Sequence, residues 1–286
     1  MAAPNFAKPC IRKAYLTVPF GQLHYAYCDS TTTPSNANLP VLLLHMSASS
    51  SLSMYTLMQK LSAAGYSSFA PDMPGFGNSD EPDNDPPNIA WYASLYHGAF
   101  SPLPAFDQGC HALGHHSGAV IGSELANDEC YGGFVRSLTC VGPAVLTAEQ
   151  RLEMSQTFLD PFNRPEASGD HLAKTWEYLQ WEGLHREANL DVLHRETLDH
   201  VKAWKNRTQI YKCVWEYDCA EALSRVTDSG RVLGLCARDD VLWPYFDQFK
   251  SVGSGLRGEE LAGGNFGPDL DSDGILKLFI SFINDI

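Results

Sequence analysis

Apolar and polar positions alternate through residues 14–28, AYLTVPFGQLHYAYC, on either side of a turn at Phe20-Gly21-Gln22. Period-two alternation around a glycine-bearing turn predicts an opening β-hairpin. A polar loop follows from Ser30 to Asn38, and then Leu39-Pro40-Val41-Leu42-Leu43-Leu44 is continuously apolar. A short run with no polar side predicts a strand covered on both faces. Residues 52–64 change to helical spacing (Leu52, Tyr55, Leu57, Met58, Leu61), closed by Gly65. Further strands are expected at Ser67–Ala70, His111–Leu113, Phe134–Val141 and Arg231–Ala237, with a helix at Ser117–Asn127. Residues 71–88 are turn-rich, 253–264 suit a loop with a short strand, and Gly274–Ile286 forms an apolar helix. Between 146 and 225 the strand pattern vanishes, and aromatic and charged residues recur at helical spacing (Trp176, Leu179, Trp204, Val214).

Strands alternating with helices imply an α/β class chain, with a mostly parallel sheet flanked by helices on both sides. The helical block divides it into a core of residues 1–144 and 226–286 and a helical cap of residues 145–225. At 286 residues, 44% of them hydrophobic, the chain is long enough to bury a full core. Its 34 acidic against 20 basic residues give a formal charge of −14. Nucleic acid and anionic membranes, which need a basic face, are therefore poor partners. The eight cysteines include no metal- or redox-type pair, the N-terminal segment MAAPNFAKPCIRK has no apolar leader, and no stretch reaches 18 apolar residues. The expectation is a cytoplasmic chain with free thiols. His185, His194 and His200 are not spaced as a metal site, and no GxGxxG or phosphate loop is present. No cofactor is expected.

Four segments carry the chemistry: Leu42-Leu43-Leu44-His45-Met46-Ser47; Ala70-Pro71-Asp72-Met73-Pro74-Gly75-Phe76-Gly77-Asn78-Ser79; Leu113-Gly114-His115-His116-Ser117-Gly118-Ala119; and the pair Asp240-Val241-Leu242-Trp243-Pro244 with Gly263-Gly264-Asn265-Phe266. In this order they resemble the α/β-hydrolase superfamily along about the whole chain, within it the capped, epoxide-hydrolase and lactonase-like branch. The resemblance implies an α/β-hydrolase fold. It also resembles hydrolase-like proteins of fungal natural-product pathways, a resemblance that implies a secondary-metabolite, polyketide-like substrate.

The departures matter more than the matches. The family's nucleophile elbow is G-x-S-x-G. Here its central position is His116, with Ser117 one residue late, so Ser117 should turn away and offer only its backbone N–H to an oxyanion. Asparagine (Asn265) replaces the family's catalytic histidine, and an amide cannot take up and release a proton near neutral pH. Asp240 keeps the acid position, with Asp239 as competitor. Met46 stands where the oxyanion turn has glycine. His45 reads as a structural member of that turn, His115 as a residue packed against the sheet.

The expected triplet is His116, Asp240 and Asn265, with Asn265 bridging the other two. At a helix N-terminus His116 should stay neutral, ready for acid–base work on a carbonyl compound. That points to a non-hydrolytic lyase or isomerase driving cyclisation, dehydration or isomerisation. Met46, Ser117, His45, Trp176 and Trp243 are expected around an oxyanion and a small apolar organic substrate. Tyr55, Trp91, Tyr92, Tyr178, Trp181 and Trp215 are further aromatic candidates. A homodimer is compatible with the sequence. The rivals are an esterase or lactonase with an unusual site, working through Ser117 or a His116-activated water, and a catalytically dead ligand-binding protein.

Overall fold

The computed structural model describes residues 9–31, 38–226 and 230–286. Most of the polar loop expected at Ser30–Asn38, and the first eight residues of the N-terminal segment, lie outside these. Among the described residues eight strands form one sheet: β1 (Arg12–Val18), β2 (Gly21–Cys28), β3 (Val41–Leu44), β4 (Ser68–Pro71), β5 (Cys110–His115), β6 (Val135–Val141), β7 (Val232–Ala237) and β8 (Leu256–Leu261). Their spatial order is β1-β2-β4-β3-β5-β6-β7-β8. The β1–β2 hairpin, closed through Val18 and Gly21, and the β2–β4 pair are antiparallel. The other neighbours are parallel.

The α-helices are α1 (Tyr55–Ala63), α2 (Ile89–Phe100), α3 (Ser117–Leu125), α4 (Asp128–Tyr131), α5 (Ala148–Phe158), α6 (Asp170–Leu179), α7 (Leu190–Lys202), α8 (Trp204–Glu216), α9 (Cys219–Ser224), α10 (Phe246–Ser251), α11 (Gly267–Leu270) and α12 (Ser272–Asn284). None is long and apolar enough to cross a membrane. Helices α5 to α9 occupy the block between β6 and β7 that was expected to be helical. Helix α2 was not anticipated. Asn88 caps it, accepting the Trp91 N–H, and Ile89, Tyr92, Ala93, Tyr96 and Phe100 are buried.

The apolar runs lack a polar side because helices cover the sheet twice. In β3, Leu42 and Leu44 face the core layer that includes Phe100, Val120 and Phe249. Val41 and Leu43 face the opposite layer, with Leu57, Leu61 and Phe279. Successive side chains of a strand point to opposite faces, so each face takes every second residue. The parallel strands β3, β5, β6 and β7 thus end side by side, and the turns that follow them carry the site.

Candidate active site

Strand β5 runs into His116, and α3 starts at the next residue. His116 has φ 47° and ψ −112°, and it alone has positive φ among the described non-glycine residues. This is a strained strand-to-helix turn of the kind that projects its central side chain. The flanking glycines are steric requirements. A Cβ on Gly118 would lie 2.1 Å from the Leu44 carbonyl oxygen, and one on Gly114 would lie 2.3 Å from the Gly118 oxygen.

The turn after β7 carries Asp240, whose Oδ1 accepts the Leu242 N–H at 2.7 Å. Its Oδ2 meets His116 Nε2 at 2.9 Å. Asp240 is 4% exposed, whereas Asp239 is exposed, so Asp240 is the acid that faces His116. Gly142, just past β6, gives the pair its room. With φ at +58°, a Cβ there would lie 2.3 Å from His116 Cδ2 and 3.1 Å from Asp240 Oδ2. Gly142→Ala is expected to lower stability by about 1–2 kcal/mol from its left-handed backbone alone. It should also displace the imidazole. Thermal unfolding checks the first effect, and a shift of the His116 ring signals in an NMR spectrum checks the second.

Two expectations about this pair are corrected. Asn265 does not bridge it. Asn265 Oδ1 accepts the Val241 N–H at 2.9 Å, and its Nδ2 donates to the Glu182 carbonyl at 2.9 Å and to Glu182 Oε2 at 2.6 Å. Nor is His116 held neutral by the helix end. Burial pushes its pKa down, but the charge and hydrogen bond of Asp240, and the charge of Glu182, outweigh burial and hold it above the ordinary value. A helix terminus contributes roughly 0.3–1 kcal/mol, less than a close charge-assisted hydrogen bond of about 1.5–3 kcal/mol.

Ser117 does not turn away either. Its Oγ accepts the Ser47 N–H at 2.8 Å, so the hydroxyl sits on the backbone donor of the turn after β3. His45 is buried behind the turn: Nε2 accepts the Met73 N–H at 2.8 Å, and Nδ1 donates to the Met46 carbonyl at 2.7 Å. Because an amide N–H must donate, Nε2 is unprotonated. Burial lowers the pKa of His45, consistent with a neutral ring.

A cavity of about 770 Å³, its open mouth included, lies between these turns and the helices. Met46, Ser47, His116, Ser117, Leu242, Asn265 and Phe266 form its floor; Met154, Phe158, Tyr178, Glu182, Tyr211 and Trp215 form its roof. The walls are mostly apolar, with polar groups concentrated around His116. Of the aromatic candidates, Tyr178 and Trp215 line it. Trp176 and Trp243 do not. Trp176 packs beside the cluster of Met46, Leu184 and Phe266, and Trp243 lies against Phe246 with Arg238 over its ring at 5.2 Å. Trp181 is 71% exposed. Tyr55, Trp91 and Tyr92 also lie outside the lining. His115 is buried in β5 with its ring centroid 4.5 Å from that of His116.

Sequence reasoning missed Glu182 and Arg207. Glu182 sits in a five-residue π-helical turn, Gln180–Leu184, broken at Gly183 with φ 122°. Burial holds its carboxyl above the usual range, against the opposing pull of Tyr178 and His116. Arg207 is 2% exposed. Its guanidinium lies 5.2 Å from Phe162, 5.8 Å from Tyr178 and 4.6 Å from Tyr211. Among the described residues no group of three or more His, Cys, Asp or Glu side chains could hold a metal ion.

The profile of the alpha/beta hydrolase family matches residues 41–267. The chain belongs to that family. Similar solved structures include the enol-lactonase from Burkholderia xenovorans LB400 (16% identity, TM-score 0.74, covering 95% of this chain and 100% of that one). A hydrolase from Pseudomonas aeruginosa PA01 matches at 16% identity and TM-score 0.71, over 95% and 98% of the two chains. The thioesterase domain from the curacin biosynthetic pathway matches at 14% and 0.67, over 95% and 99%. At such identities the likeness is one of fold. No curated protein matches the chain by sequence.

Proposed function

We propose that this family member transfers protons on a small, largely apolar carbonyl compound, with the His116–Asp240 pair as the proton-transferring group, and so acts as a lyase or isomerase. The observation that carries this reading is the direct 2.9 Å contact between His116 Nε2 and Asp240 Oδ2 at the tip of the elbow. In a serine hydrolase the elbow holds the nucleophile, and a separate histidine links it to the acid. Here the imidazole itself occupies the elbow and reaches the acid. Its Nδ1 has no hydrogen-bond partner among the described residues, and the side chain is 17% exposed at the cavity. An Asp-backed imidazole of this kind gives or takes a proton at the substrate. We take α5–α9 as the cap that closes over the substrate. A secondary metabolite of polyketide type, which can be both apolar and rich in carbonyls, suits these walls.

Hydrolysis is the second reading, favoured by the family and by lactonase and thioesterase neighbours. It takes two forms: attack by Ser117 Oγ, or attack by a water activated by His116. The first is opposed by the Ser47 N–H bond, which fixes the Ser117 hydroxyl at an oxyanion donor. A fluorophosphonate serine probe followed by intact mass separates them. No adduct is expected on this protein under conditions that label an ordinary serine hydrolase fully. A stoichiometric adduct on Ser117 would put serine hydrolysis first. Lactone turnover without an adduct would instead favour the activated water.

A further inference from the structure

We propose that Glu182 is the second proton-transferring group of this cavity. Its carboxylate takes a proton from the carbon beside a substrate carbonyl, while the His116 imidazolium, backed by Asp240, gives one to the carbonyl oxygen. This rests on the proton-transfer reading above, and it narrows the substrate to an enolisable ketone with an apolar body.

The geometry is the first support. Glu182 and His116 line the same cavity, one from the helical roof and one from the elbow. A group that enters from the opposite wall can address a different atom of the same small molecule. The second support is how Glu182 is held. Asn265 stands where the family has its catalytic histidine, and its Nδ2 grips both the Glu182 main-chain oxygen and Oε2. Its Oδ1 is meanwhile fixed by Val241, the neighbour of Asp240. A position made useless for proton transfer has thus become a clamp that orients a carboxylate. Only one carboxylate oxygen is engaged by Asn265.

The local backbone fits the same reading. The π turn with Gly183 at φ 122° interrupts the helix at this residue, and single π turns concentrate at functional positions. The electrostatics agree: Glu182 helps hold the His116 imidazole protonated, and burial makes the carboxylate a stronger base than an exposed one. The oxyanion side agrees as well. The Ser47 N–H is already bonded to Ser117 Oγ, so a developing enolate oxygen needs another donor, and His116 Nδ1 is available.

The step balances. The C–H bond breaks, its proton goes to a Glu182 oxygen, and its electron pair forms the new C=C. The carbonyl π pair takes the proton from His116 Nδ1, giving an enol with both side chains neutral. If the Glu182 proton exchanges with solvent before one returns to the same carbon, the result is isotope exchange; return to a conjugated carbon gives isomerisation. No other reactant is required.

Two measurements test this. Nitrogen-15 NMR of histidine-labelled protein follows the His116 titration without any substrate. In Glu182→Gln, which keeps an acceptor for Asn265 but no charge, the His116 midpoint should move to lower pH. An unchanged midpoint overturns the proposal. Incorporation of deuterium from D₂O into a panel of alkyl aryl ketones is then followed by mass spectrometry. Glu182→Gln should slow exchange by about 100-fold or more, and Glu182→Asp should recover part of it. If Glu182→Gln exchanges as fast as wild type while His116→Ala does not, Glu182 is not the base and the proton-transfer reading survives. If the wild-type protein exchanges none of the ketones, both fail.

Discussion

His116→Ala removes proton transfer, lowering ketone deuterium exchange by about 10²- to 10⁴-fold, the range for deleting a positioned acid–base group, whereas Ser117→Ala keeps most of it. The contrast follows from what each side chain touches. The His116 imidazole bonds Asp240 through Nε2 and lines the cavity. Alanine leaves Asp240 Oδ2 without its partner and leaves the elbow with nothing that titrates near neutral pH. Ser117 Oγ is an acceptor for the Ser47 N–H, and its loss frees that donor without touching the proton path. Because Asp240 and Glu182 raise the His116 pKa, wild-type exchange that depends on the imidazolium should persist above pH 6.5, the ordinary histidine value, and fall once pH passes the raised value. The reverse mutant pattern, with Ser117→Ala inactive and His116→Ala active, would return the site to serine chemistry.

The parts of this molecule that could be read from sequence are those decided within a few residues. The β3 run 41–44 is apolar throughout because both of its faces are covered. The elbow could be placed because Gly114 and Gly118 are fixed by contacts within their own turn and the neighbouring strand end. Helix α2 escaped because the proline-rich run 81–88 masks its start, although its buried residues do follow helical spacing. What failed depended on long-range packing. Glu182 is a lone acid between Trp181 and Gly183, and nothing near it in sequence ties it to His116. The partners of Asn265 come from the turn after β7 and from the roof, so the amide bridge expected from family order could not be checked locally. For Trp176 and Trp243, aromatic character alone does not say whether a ring faces a cavity or a neighbouring core cluster.

Asp72→Ala is expected to cost about 3–5 kcal/mol of stability, as removing one partner of a buried charged network does. Asp72 is fully buried. It lies in the DMPGFGNSD segment, part of one of the four stretches that carry the resemblance to the family. Its Oδ1 accepts the Ser51 N–H at 2.6 Å. Its Oδ2 meets His24 Nδ1 at 2.7 Å and the Asn78 N–H at 2.7 Å. One carboxylate therefore ties together strand β2, the turn leading into α1 and the loop after β4. The packing is close enough that a Cβ on Gly77 would lie 2.1 Å from Asp72 Oδ2. Alanine leaves these donors buried without an acceptor, each a loss of about 1–3 kcal/mol before relaxation. The effect depends on pH in a definite direction. Burial pushes the Asp72 pKa up, but the His24 hydrogen bond, the His24 charge and the Asn78 N–H outweigh it, so the folded value lies below the usual one. The unfolded chain then binds the proton first. The stabilisation is fully present above about pH 4, the unfolded carboxylate value, and is lost as pH falls through the lower folded value. Urea unfolding should show Asp72→Ala well below wild type at pH 7, with the gap narrowing in acid. A difference under about 1 kcal/mol at pH 7 would mean that this network orders the loop without holding the fold.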